Sequence, residues 1–116
     1  MHSVTGVVQF GEAIKPPDDA TVYVRLLDTT RSDAAAELVD EQVLHGIDWS
    51  HVPEPGIQFH VHTPHLLPNH RYEVSVLVDC DGDRQISPGD FYTTQSYPVL
   101  TQGYPQHINV QVRQLR

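Results

Sequence analysis

The chain has 116 residues, which suffices for one domain with its own hydrophobic core, and its formal net charge is −8. With only seven Lys and Arg residues in all, this acidic chain is not expected to bind nucleic acid or anionic membrane surfaces, because both attract clustered basic side chains. The single cysteine, Cys80, excludes an internal disulfide.

The hydropathy of the chain and its first residues indicate where in the cell the protein is expected. No stretch approaches the ~18 consecutive apolar residues of a membrane-spanning helix, so we expect no membrane insertion. The opening residues, Met1 to Thr5, lack the charged and apolar regions of a signal peptide, so we expect a soluble chain. A location in the periplasm or cell envelope would require a leader that has been removed.

The first half of the chain predicts strands separated by loops. Alternation of apolar and polar residues, as at Val22, Val24 and Leu26, indicates half-buried strands. The strands predicted here are Ser3–Phe10, Thr21–Leu27, Glu37–His45 and Gly56–Thr63. Between the second and third, Asp28–Ala36 predicts a loop with one helical turn capped by Ser32. Trp49, in the loop before Gly56, is expected to cap the core.

The second half continues the same pattern. Strands are predicted at Arg71–Val78, Phe91–Tyr97 and His107–Arg113. Seven short strands, no convincing long helix and nine prolines placed between strands predict an all-β fold in one domain, residues 1–116. We interpret it as an antiparallel β-sandwich of the immunoglobulin or transthyretin kind.

An acidic loop, Asp79–Asp90, lies between two of these strands and predicts a Ca²⁺ site. Carboxylates at loop positions 1, 3 and 5 can converge on one hard cation, together with the carbonyl of position 7, Ser87 or a water at position 9, and a carboxylate at position 12. The predicted ligands are Asp79, Asp81, Asp83, Gln85 and Asp90. Ile86 is expected to point into the fold.

The same loop departs from an EF-hand. Arg84 occupies position 6, where a glycine usually adopts a positive φ, and position 12 is Asp90 instead of a bidentate Glu. The sequence therefore favours a strand-loop-strand calcium site, and the alternative is a polar hairpin turn without an ion.

Histidines provide a second candidate site. His60 and His62 project from the same face of a predicted strand, about 6–7 Å apart, a usable separation for one Zn²⁺ or Cu²⁺. His65 or His51 would supply a third ligand. The simpler interpretation is a polar outer face of the strand.

Catalytic motifs are missing from the sequence. It contains no G-x-S-x-G, no P-loop and no H-E-x-x-H. The acidic loop would place its carboxylates in water, where nothing raises the pKa of one of them for acid catalysis. We therefore expect a binding protein and no enzyme.

Several segments together resemble the YbaY/YscW-type family, which includes outer-membrane lipoproteins and the lipoprotein pilotins that chaperone the secretins of type III secretion. The segments are Pro17–Ala34, Ile57–Phe59, Pro64–Pro68, Tyr72 and Thr94–Thr101. The resemblance extends from about Val4 to the end of the chain. It implies a compact β-sandwich that binds another protein and catalyses nothing.

Overall fold

Eight strands make up the regular structure in the computed structural model, which describes residues 2–11, 15–31 and 33–116. They are β1 (His2–Phe10), β2 (Thr21–Asp28), β3 (Glu37–Leu44), β4 (Ile57–Thr63), β5 (Tyr72–Asp79), β6 (Phe91–Thr93), β7 (Pro98–Val99) and β8 (His107–Gln114). No helix occurs within these described ranges.

The predicted strands are present, with one difference after Phe91. Only the first three residues of the predicted strand Phe91–Tyr97 form β6; residues 94–97 belong to no strand, and the two-residue β7 follows them. In this interval the Tyr97 carbonyl accepts the Val74 N–H at 3.0 Å, and Pro98 then pairs with Glu73 of β5. The predicted capping residue Ser32 lies outside the described residues, and the described residues 29–31 and 33–36 contain no helix.

All strands belong to one mixed sheet, so the all-β prediction is confirmed and the antiparallel sandwich is not. The order is β3-β2-β5-β6-β8-β1-β4, with β7 paired to β5. The first and last strands, β1 and β8, pair in parallel, whereas β1 and β4 are antiparallel. Side chains alternate with the same period in both kinds of ladder, so alternation could not reveal this pairing.

The sheet curves until its two end strands meet, which gives a nearly closed, barrel-like shape. We call the junction between β3 and β4 the seam. Two side chains of β3 bridge it: Gln42 Oε1 accepts the His60 N–H at 2.7 Å, and Asp40 Oδ2 accepts the His62 N–H at 2.8 Å. These bridges take the place of backbone pairing at the seam.

The core fills the inside of this curved sheet. Its largest fully buried side chains include Phe91, Leu26, Val4, Val61 and Val76. Trp49 closes one end: it is 4% exposed and packs edge-to-face on Phe10, with ring centroids 5.6 Å apart. The expectation that Trp49 caps the core is confirmed.

Candidate functional site

The acidic loop is built on two buried carboxylates at the ends of neighbouring strands. Asp79 ends β5 and is 2% exposed, and Asp90 precedes β6 and is 1% exposed. Asp81 and Asp83 lie on the exposed part of the loop. One carboxylate oxygen from each of the four lies within 4.8 Å of the others. We call these four residues the aspartate cluster.

Backbone N–H groups of the loop fold around the buried carboxylates. Asp79 Oδ2 accepts the Arg84 N–H at 2.8 Å and its Oδ1 accepts the Gly82 N–H at 3.1 Å. Asp90 Oδ1 accepts the Cys80 N–H at 2.9 Å. Because charge-assisted hydrogen bonds of this kind are the stronger ones, they hold the loop closed over its own base.

The exposed part of the loop adds further oxygen atoms. The Ser87 hydroxyl lies 3.0 Å from both Asp81 Oδ2 and Asp90 Oδ2, and its single proton can serve one of them at a time. The Gln85 N–H donates to Asp83 Oδ1 at 2.9 Å. Ser87, expected at position 9, therefore lies against the aspartate cluster, and Gln85 is linked to it through its backbone N–H.

Crowding of like charges shifts two of the carboxyl groups in opposite directions. The pKa of Asp83 is raised: the Gln85 N–H lowers it, but desolvation and the Asp81 and Asp79 carboxylates together outweigh that hydrogen bond. The pKa of Asp81 is lowered, first by hydrogen bonding with Asp83 and then with Asp79. A proton held between the two carboxylates relieves the repulsion, and a hard divalent cation is the other species suited to that role.

Arg84 joins this loop to the outside of the sheet. Its φ is +59°, in the left-handed region that the sequence analysis required of position 6. Its guanidinium group stacks over the Tyr23 ring at 4.9 Å and reaches Glu41 Oε1 at 3.2 Å. Ile86, by contrast, is 52% exposed, so the expectation that it points into the fold is wrong. The hydrogen bonds to Asp79 and Asp90 and the side chain of Arg84 hold the loop in place, and Ile86 does not.

The thiol of Cys80 is unsuited to nucleophilic chemistry. Burial, followed by the negative charges of Asp90, Asp79 and Asp81, raises its pKa to about 11. The thiol is therefore protonated at neutral pH, whereas a thiolate is the reactive form.

In the described part of the chain, His60 and His62 form a pair that no third histidine joins. The rings of His60 and His62 are 5.9 Å apart, and His62 Nδ1 lies 3.4 Å from Asp40 Oδ2. Among the described residues, the aspartate cluster is the one place where three or more potential ligands gather. His65 and His51 therefore do not join His60 and His62, and the His51 ring instead contacts Asp48 Oδ2 at 3.1 Å.

A groove beside Trp49 was missed by the sequence analysis. It encloses about 550 Å³ between the end of β1, the loop that follows β3, and β8. Its lining includes Phe10, Pro16, Trp49, Val52, Pro53 and Gln111. The signal in the sequence was a cluster of prolines around the only tryptophan of the chain.

Comparisons with known proteins identify the fold and the family. A solved structure described as an alternative pilotin from the type II secretion system of Vibrio cholerae is similar, with a TM-score of 0.79 and 26% sequence identity. The match covers 99% of this chain and 97% of that chain. No curated protein sequence matches. No helix among the described residues is long and apolar enough to span a membrane.

The sequence profile of one family matches nearly the whole chain. The family is described as type III secretion system lipoprotein chaperone (YscW), and it matches residues 1–112. Lipoproteins of this kind reside in the cell envelope. The chain therefore belongs to the YscW family of type III secretion system lipoprotein chaperones, and its partner is a protein.

Proposed function

We propose that this protein is a pilotin-type chaperone, without enzymatic activity, that binds a secretin subunit in the cell envelope. One observation carries the proposal: the similarity to a pilotin structure extends over 99% of this chain, with 26% identity. The match to the secretion chaperone family over residues 1–112 supports the same role.

Binding to a secretin tests this role directly. The full-length secretin subunit from the same cell would be titrated into this protein by isothermal calorimetry and followed in parallel by co-purification. We expect saturable binding at about one copy per subunit. A subunit that neither binds nor changes its assembly in the presence of the chaperone would contradict the proposal.

The proposal includes one Ca²⁺ ion at the acidic loop, held by Asp79, Asp81, Asp83 and Asp90 with the carbonyl of Gln85. All the side-chain donors are carboxylate oxygens, which Ca²⁺ prefers, and their separations of 4.8 Å or less suit one cation. The left-handed conformation of Arg84 also matches that of the glycine at position 6 of known calcium loops.

The ion would stiffen the hairpin between β5 and β6. A ligand that binds only the folded state stabilises it by about 2.7 kcal/mol at a hundredfold excess over its dissociation constant. Calorimetry and thermal unfolding with CaCl₂ test this, with the variant Asp81→Asn/Asp83→Asn as control. We expect Ca²⁺ to give binding heat and a higher Tm with the original chain, and neither with the variant. No response at millimolar Ca²⁺ would leave the loop as a polar turn.

A further inference from the structure

We propose that the secretin contributes an extended segment with a lysine or an arginine, and that this segment docks beside the start of β4. The basic side chain enters a cavity between β4 and the loop that precedes it, residues 45–56, and the backbone of the segment pairs with β4 at Gln58. This inference rests on the proposed chaperone function, since it assigns the place and the chemistry of that binding.

The start of β4 offers an open strand edge. In an antiparallel strand the N–H and C=O of one residue point to the same side, and this side alternates along the strand. The His60 and His62 N–H groups point into the seam, where side chains of β3 accept them. Gln58 lies two residues earlier, so its backbone groups face the same side, and no side chain of the described residues accepts its N–H. Since no ladder joins β4 to another strand on this side, a further strand can pair there.

A cavity of about 390 Å³ adjoins this edge. Its lining combines apolar side chains with two carboxylates and includes Ile47, Asp48, Pro53, Glu54, Ile57 and Gln58. Lysine and arginine have a long apolar stem and a charged end group, so one such side chain can contact the apolar walls and reach a carboxylate at the same time. The cavity therefore fits a basic side chain of a segment that lies along β4.

The loop that forms this cavity is held at both ends. At one end, Asp48 Oδ1 accepts the Ser50 N–H at 3.0 Å, and Asp48 Oδ2 contacts His51 Nδ1 at 3.1 Å. At the other end, the Gln9 side-chain amide donates to the Pro55 carbonyl at 3.0 Å. Because these contacts are present before a partner binds, the cavity is preformed, which lowers the conformational entropy that docking costs.

Charge distinguishes the two carboxylates of the cavity. Asp48 contacts His51, whereas Glu54 forms no ion pair or hydrogen bond with the described part of the chain. Glu54 is also exposed, so it can accept a cation from a partner. The net charge of −8 acts in the same direction, because it attracts a basic segment and repels an acidic one.

A second cavity also includes Gln58 and indicates the character of the neighbouring residues of the segment. It encloses about 490 Å³, and its lining includes Gln42 on β3 and His60 on β4, on either side of the seam. No Asp, Glu, Lys or Arg lines it. We therefore expect uncharged side chains next to the basic residue of the segment.

Charge reversal with a matched control tests the cavity. Glu54→Lys places a cation where the basic side chain of the segment is expected, so its affinity for the full-length secretin subunit should fall by about tenfold or more in isothermal calorimetry. Asp18→Lys makes the same change in net charge at an exposed residue outside the cavity and should bind nearly as well as the original chain. If a lysine variant folds poorly, Glu54→Gln and Asp18→Asn repeat the comparison.

The backbone amide of Gln58 provides a second readout. Its proton should exchange with deuterium more slowly once the secretin subunit binds, because it gains a carbonyl acceptor, whereas exchange at Asn109, an exposed residue of β8, should stay the same. If the subunit binds but Glu54→Lys binds as well as Asp18→Lys, or exchange at Gln58 is unchanged, the inference is overturned and the chaperone function stands. If the original chain binds no secretin subunit, the proposed function itself fails.

Discussion

The guanidinium group of Arg84 lies 3.2 Å from Glu41 Oε1, so the acidic loop is tied to strand β3. The same carboxylate group binds Arg25 at 2.8 Å through its other oxygen, and both arginines stack on Tyr23. Arg84 thus has two roles, because its backbone N–H also binds Asp79 in the left-handed conformation.

These two roles can be separated by substitution. Arg84→Gly loses the tie to Glu41, which contributes at most about 1 kcal/mol at an exposed site, but it relieves a left-handed conformation that costs about 1–2 kcal/mol. We therefore expect its free energy of unfolding to equal or exceed that of the original chain, whereas Arg84→Ala should be less stable by about 1 kcal/mol. Urea unfolding measures both, and equal stabilities for the two variants would contradict the assignment.

Asp28 makes stability depend on acid pH. Burial raises the pKa of its carboxyl, but hydrogen bonds from His70 and Thr30 lower it by more, so the folded-state pKa lies below the ordinary 3.8. The ionised form is therefore favoured by folding, and its contribution is full above pH 3.8 and is lost as pH falls through the folded-state pKa. Asp28→Asn should be less stable at pH 7, by about 1–3 kcal/mol, with a flatter pH profile below pH 4. If the free energy of unfolding changes with pH between 2 and 4 as steeply in Asp28→Asn as in the original chain, this prediction is wrong.

Removal of the side chains that bridge the seam should expose an edge strand. In Asp40→Val/Gln42→Val the backbone N–H groups of His60 and His62 lose their acceptors. We expect the free energy of unfolding to fall by about 1–3 kcal/mol for each unsatisfied N–H donor that stays buried. Where the edge of β4 becomes exposed, we expect the protein to self-associate through that strand. Light scattering and urea unfolding measure the two effects. Glu37→Val, at an exposed residue of the same strand, serves as the control.

The histidine pair carries a separate prediction about transition metals. His60 and His62 lie close together and Asp40 contacts His62, but these side chains form no compact group of three ligands in the described part of the chain, so binding of Zn²⁺ or Cu²⁺ should be weak. The variant His60→Ala/His62→Ala should retain the same amount of metal after purification as the original chain. A clear loss of metal in elemental analysis would restore the alternative of a transition-metal protein.

The strands were predicted well from the sequence because a strand shows itself in the local alternation of apolar and polar residues. Val22, Val24 and Leu26 face the core as expected, and Asp79, Asp81, Asp83 and Asp90 meet in one loop because their spacing is a local property. The parallel pairing of β1 with β8 joins residues such as Thr5 and His107, about a hundred positions apart, which no local pattern encodes. The exposure of Ile86 was also missed; the loop is anchored instead by contacts such as that of Arg84 with Tyr23 on β2, which no local pattern encodes.

We expect the folded chain to open first at the seam. Every other pair of neighbouring strands is held by a backbone ladder, whereas β3 and β4 are joined at the seam by Gln42 and Asp40. Amide protons on this line should exchange with deuterium sooner than those between β1 and β8. Opening at the seam therefore breaks the two side-chain hydrogen bonds and leaves every backbone ladder of the sheet intact.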